Sequence, residues 1–171
     1  MEGLSFEEFT KKIYIAAPLG RIYTSWATQA GICSWFLREA AYHAPDGSRR
    51  GPEEPVQAGD RYAWKWHQFD GEETGTLLEA DGKQHIAFSF AGDCRVRVSL
   101  EEGAGRVLVC LRQYNIPTDE KSKLMYHYGC STGWTFWLAN LKAWLEHGIL
   151  LNDRGTDLLE DPRAGYEFVN I

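Results

Sequence analysis

The strongest constraint on this chain lies near its C-terminus. From about Asp119 to His147, the residues Tyr126, Cys130, Trp134, Trp137, Leu138, Leu141, Trp144 and Leu145 recur at spacings of three, four and one. That pattern lays them along one face of a 3.6-residue helix. Pro117 ends what precedes, Thr118 stands where an N-cap belongs, and Gly148 suits the position just past a helix end. Such a helix is roughly 40 Å long at about 1.5 Å per residue. A stripe that long and that rich in tryptophan needs an equally wide apolar surface to bury it, and a sheet is the element that supplies one.

The sheet is legible upstream. Phe6–Ala16 ends in alternation, with Ile13 and Ile15 on one face, and reads as a first strand. Pro18 opens a short helix carrying Ile22 and Trp26, and Thr28 caps a second, before Ile32, Trp35 and Phe36. A strand is expected over Leu37–His43, then an exposed loop over Pro45–Gly59, rich in proline, glycine and charge. From Asp60 the chain reads as a meander. Tyr62, Trp64 and Trp66 alternate with Ala63, Lys65 and His67, and Glu73–Glu79 is a weaker strand. Ile86, Phe88 and Phe90 form the next apolar series, then Val96, Val98 and Leu100, then Val107, Val109, Leu111 and Gln113. Asp70-Gly71, Asp81-Gly82, Gly92-Asp93 and Glu102–Gly105 turn between them. Successive hairpins mean antiparallel pairing, and apolar-polar alternation means one covered face and one wet face.

The expected architecture is therefore α+β: a curved antiparallel sheet of six or seven strands, two short helices after the first strand, and one long C-terminal helix across the sheet. With 171 residues, the chain fits a single domain over 1–171, with 149–171 as an acidic tail ending Tyr166-Glu167-Phe168-Val169.

The order of elements and several strings resemble the family related to the C-terminal domain of the activator of Hsp90 ATPase. That family belongs to the START-like superfamily, with the polyketide cyclases and the Bet v 1-type allergens. The strings are Ile13–Trp26, Gly31–Phe36, Gly59–Trp66, Ile86–Phe90, Val96–Leu100 and, most specific, Gly133–Gly148 (GWTFWLANLKAWLEHG). The resemblance implies a helix-grip fold with a cavity between sheet and long helix. It implies no single function: relatives bind lipids, hormones or flavonoids, or act as cyclases or aromatases. The eukaryotic activator carries a second domain needed for strong ATPase stimulation, and these 171 residues are expected to hold no such domain.

The candidate binding residues follow from alternation and from that implied cavity. Tyr62, Trp64, Trp66, Phe88 and Phe90 share the covered face and either wall a pocket or fill a core. Trp35 and Phe36 would form one rim, and Tyr62 and Gln113 would orient a ligand through polar groups. Gly129 and Gly133, one turn apart, each cost a helix about 1 kcal/mol relative to alanine. They mark close approach to the sheet, a local bend, or room for a ligand. The leading expectation is a binding domain for a small apolar or aromatic ligand. The alternatives are a chaperone-binding module, which would show an exposed apolar patch on the outer face or tail, and a cyclase- or hydrolase-like enzyme, which would show a carboxylate or histidine in the cavity with a perturbed pKa.

Charge and cysteine usage narrow the partners. A formal net charge of −6 disfavours nucleic acid and anionic membranes. Arg95, Arg97 and Arg112 are expected on the wet face. The histidines are scattered and the four cysteines contain no CxxC, so no metal, no cofactor and no catalytic residue is expected. No apolar run approaches the ~20 residues of a membrane span. The expected setting is a reducing cytoplasm, as a monomer or weak homodimer.

Overall fold

The computed structural model describes residues 5–154 apart from residue 69; the expected tail beyond 154, with its aromatic end, lies outside the described residues. Seven strands form one antiparallel sheet: β1 (Phe9–Ile15), β2 (Glu39–His43), β3 (Arg61–Lys65), β4 (Glu72–Ala80), β5 (His85–Ser89), β6 (Arg95–Gly103) and β7 (Arg106–Tyr114). Their order is β1-β7-β6-β5-β4-β3-β2. The first strand thus closes beside the last, and every other neighbour follows in sequence. The register of β4 on β5 shifts between Leu77 and Glu79, which bends the sheet. This is the curved sheet of the helix-grip fold.

Helices α1 (Leu19–Ala27) and α2 (Gln29–Trp35) follow β1, as read. Pro18 precedes α1, and the Thr28 side chain accepts from the Gly31 amide at 2.9 Å to cap α2. The inward residues of the meander bury completely or nearly so, among them Leu77, Phe88, Val96, Val98, Val109 and Leu111. Arg95, Arg97 and Arg112 stay exposed, with Arg97 pairing Glu79 and Arg112 pairing Glu8.

The long helix departs from its expected form in two ways. Its N-cap is Asp119, not Thr118: the carboxylate accepts the Ser122 amide at 3.1 Å. Nor is it α-helical throughout. After one turn of α3 (Glu120–Ser122) the backbone widens into a π-helical segment, Lys123–Gly129, before α4 (Cys130–His147). A π segment closes i→i+5 bonds, so it fits more residues into each turn than an α-helix does, and it appears most often at functional sites. Gly148 ends α4 with φ 68°, its amide donating to Trp144 O at 2.9 Å, and Ile149 donating to Ala143 O at 3.3 Å.

Buried polar groups fasten the helices to the sheet and loops. Asn140, on α4, donates to Trp35 O at 2.5 Å and accepts from the Leu151 amide at 2.7 Å. It thereby ties α2, α4 and the segment after α4 together. The loop over 45–59 is more anchored than its composition suggests. Arg50 binds Asp60, which is fully buried and also accepts the Gln57 amide at 2.8 Å, and Val56 inserts into the core. Arg50, next to Arg49 in sequence, is thus a structural ion-pair partner.

Candidate functional site

Where α4 crosses the sheet, the tryptophans and phenylalanines pack ring against ring. Trp35 is fully buried, stacks on Phe36 at 5.2 Å and donates through Nε1 to Ser25 O at 3.0 Å. Tyr62 stacks on Trp64 at 4.1 Å and donates its hydroxyl to Ser89 O at 2.6 Å. That stack needs Gly75, whose absent Cβ would lie 2.6 Å from the Tyr62 ring. Trp64 packs edge-on against Phe88 at 5.1 Å and donates to the Tyr42 hydroxyl at 3.2 Å. Gln113 is fully buried, accepts from Trp134 Nε1 at 2.9 Å and donates to Tyr126 O at 3.4 Å.

Half of the expected site therefore forms a solid aromatic layer. Trp35, Tyr62, Trp64, Phe88 and Gln113 are core groups with their polar atoms engaged inside the protein. Burial drives the Tyr62 hydroxyl pKa well above its ordinary value, with the nearby Glu73 charge adding to the rise. Trp35 lies behind the rim expected of it.

The other half comes together. Phe36, Trp66, Phe90, Gly129 and Gly133 line one recess of about 190 Å³. Met125, Cys130, Trp134 and Trp137 complete its helix side. The glycines explain the space. A Cβ on Gly133 would meet no heavy atom within 4 Å, and one on Gly129 only its own helix, at Leu124 O, 3.5 Å. Close approach to the sheet is not their reason. The π segment contributes Met125 and Gly129 to the recess wall. Phe36 is the hub of the floor, with Trp137 at 5.0 Å, Trp134 at 5.4 Å and Trp66 at 6.2 Å. Burial pushes the Cys130 thiol up to about 11, although a hydrogen bond to Gln113 works the other way. It is a protonated, apolar wall group.

Other depressions differ in chemistry. A groove of about 660 Å³ lies at the strand ends among Glu7, Glu8, Asp93 and Arg95. Charged walls of that kind do not select an apolar ligand.

Residue reasoning missed Glu73. The register sets Glu73 opposite Trp64, so it shares the covered face with that ring. One carboxylate oxygen accepts the Ala91 amide at 2.7 Å. Burial raises the carboxyl pKa, opposed by that hydrogen bond. The histidines stay apart: His85 lies beside Ser99 at 3.3 Å, whereas the Nε2 of His67 is buried with no hydrogen-bond partner. Among the described residues no group of His, Cys, Asp or Glu is arranged to hold a metal, and no helix is long and apolar enough to cross a membrane.

Comparisons place this geometry among known proteins. The model of the family described as Activator of Hsp90 ATPase homolog 1-like protein matches residues 16–146. A crystal structure of the Staphylococcus saprophyticus protein SSP2350 superposes with a TM-score of 0.66 at 20% identity, covering 84% of this chain and 95% of that one. The solution structure of the Aha1 dimer from Colwellia psychrerythraea gives 0.65 at 18% identity, covering 82% and 97%. DynU16, a putative protein in the dynemicin biosynthetic locus, gives 0.67 at 14% identity, covering 86% of this chain and 50% of that one. No protein with a curated description matches the sequence.

Proposed function

For a chain that belongs to the activator of Hsp90 ATPase homolog 1-like family, we propose binding of a small apolar or aromatic molecule in the recess between α4 and the sheet. The observation that carries this reading is the open space beside Gly133, bounded by Phe36, Trp66, Phe90, Trp134 and Trp137. A helix tolerates mid-span glycines at a cost, and here that cost buys volume against aromatic faces. The recess suits a body about the size of a bicyclic ring, held by stacking and by removal of apolar surface from water. In this reading the whole chain acts as one domain, in a reducing cytoplasm that suits its free thiols.

Titration of the full chain with indole, followed calorimetrically at several temperatures, tests the proposal. Binding is expected with a negative heat-capacity change. Gly133→Leu should fill the recess and abolish binding while leaving the fold intact. Indole that binds the Leu variant as well as the parent, or binds neither, overturns the proposal.

A second reading, docking of a partner protein such as a chaperone, has one observation in its favour. Leu124, Met125 and Tyr128 project from the π segment at 65%, 50% and 68% exposure. The patch lies on the helix rather than on the outer sheet face. Replacing Leu124 and Tyr128 by Ser should then weaken partner binding and leave indole binding unchanged.

A further inference from the structure

We infer that Glu73 is the polar anchor of the recess, and that the molecule bound there carries a protonated amine on its aromatic or apolar body. This rests on the binding reading above and narrows it to a ligand class.

The placement follows from register. Strand β4 lies between β3 and β5. Trp64 pairs with Glu73, and Leu77 pairs with Phe88, so Glu73, Gly75 and Leu77 are the inward series of β4. Trp66, two residues past Trp64, and Phe90, two past Phe88, both line the recess. Glu73 therefore emerges on the strand between these two rings and on their side of the sheet. The carboxylate is half-buried, and Cys130 on the opposite wall lies within reach of its field, as do Cys94 and the Tyr62 hydroxyl.

The carboxylate is incompletely satisfied. Its hydrogen bond comes from Ala91, a non-glycine residue at φ 54°, a conformation a β-carbon disfavours. Among the described residues, Glu73 forms no ion pair with any Lys, Arg or His. Glu73 sits beside Trp64, next to the recess rather than among the side chains that line it. A partly desolvated carboxylate there lacks a counter-charge, and an ammonium group is the ligand function that supplies one. The same ammonium would be attracted to the faces of Trp66, Trp134 and Phe90. A neutral ligand gains neither term, and an anionic one is repelled.

Three ligands that share one ring separate the cases: tryptamine, indole and indole-3-acetate, titrated calorimetrically into the full chain at neutral pH and low salt. Tryptamine should bind about tenfold or more tightly than indole, and indole-3-acetate more weakly than either. In Glu73→Gln, whose amide oxygen can still accept from Ala91, tryptamine should fall to within about threefold of indole while indole is unchanged. Equal affinity of the parent for tryptamine and indole overturns the inference even if the variant does not fold. A tryptamine preference that survives in the Gln variant overturns it too. Indole binding that is lost in Gly133→Leu, with no preference for the amine, removes Glu73 alone. Absence of binding by both removes the recess reading with it.

Discussion

Glycine-to-alanine changes inside strands ordinarily stabilise by about 0.5–1 kcal/mol, because alanine loses less backbone freedom on folding. At Gly75 the sign should reverse. A Cβ there would stand 2.6 Å from Cε1, Cζ and Oη of Tyr62, well inside a normal carbon contact of about 3.5–4.0 Å. The ring would have to retreat by about 1 Å. It is pinned by its stack on Trp64 and by its hydroxyl bond to Ser89 O at 2.6 Å. Overpacking of this kind costs about 1–3 kcal/mol, and a weakened buried hydrogen bond adds about 0.5–1.5. After the propensity gain is offset, Gly75→Ala should destabilise by about 1–3 kcal/mol. Urea unfolding followed by tryptophan fluorescence should show the midpoint falling by about 1 M. The cost should vanish in a Tyr62→Leu background, where the ring is gone, and a double-mutant cycle isolates that coupling. A neutral or stabilising Gly75→Ala, or a cost that persists without the Tyr62 ring, would refute the claim that glycine is there to seat this aromatic layer.

Other consequences can be measured separately. Trp137→Ala should cost about 3–5 kcal/mol, since the ring is 5% exposed and packs on Phe36; a loss under about 1 kcal/mol in the same urea assay would remove α4 as the cover of the sheet. A thiol reagent applied to denatured, unreduced protein should modify four cysteines, and in the native protein Cys94 and Cys130 should lag behind Cys110; fewer than four in the denatured chain would reveal a disulfide. Burial, aided by Arg154 and Arg38, holds the His67 pKa below its usual 6.5, so the unfolded chain takes up that proton first. Its contribution should be whole above about pH 6.5 and decline as pH falls through the folded value; between pH 7.5 and 5.5 the urea midpoint of His67→Gln should drop less than that of the parent, and parallel drops would refute this assignment.

The fold was readable because alternation in the meander and the wheel of α4 are strong periodic signals, and each implies the other's covering surface. Placement of individual site groups was less readable. Alternation assigns a face but not a depth: it put Tyr62, Trp64 and Phe88 on the covered side without distinguishing a packed floor from a wall. Phe36, Trp66, Phe90, Gly129 and Gly133 gather at one recess because of where the helix crosses and where it widens, and crossing geometry is not written in local pattern. The π segment has no local signal, since its residues fit an α wheel nearly as well. Glu73 did have one. Counting back by twos from Leu77 places Gly75 and Glu73 inward, but Glu73–Glu79 reads from the sequence only as a weaker strand with no face assigned. Asp119 displaced Thr118 as the cap because either side chain can serve, and one residue of chain length past Pro117 decides between them.

The π segment also sets the helix's rotational phase. Each residue of an α-helix advances about 100° around the axis, so a stretch wound more loosely turns everything before it relative to everything after. Residues 120–122 are thus out of step with the wheel that seats α4 on the sheet. Deleting one residue within 123–129 would let the helix rewind toward an unbroken α spiral. Met125 would then swing around the axis relative to Gly129 and Gly133, and the opening would close without any change to the rings that line it. Access to the recess is encoded in the length of this segment as much as in its side chains. Relatives with longer or shorter segments at this point should differ in what they admit even where every aromatic residue is shared.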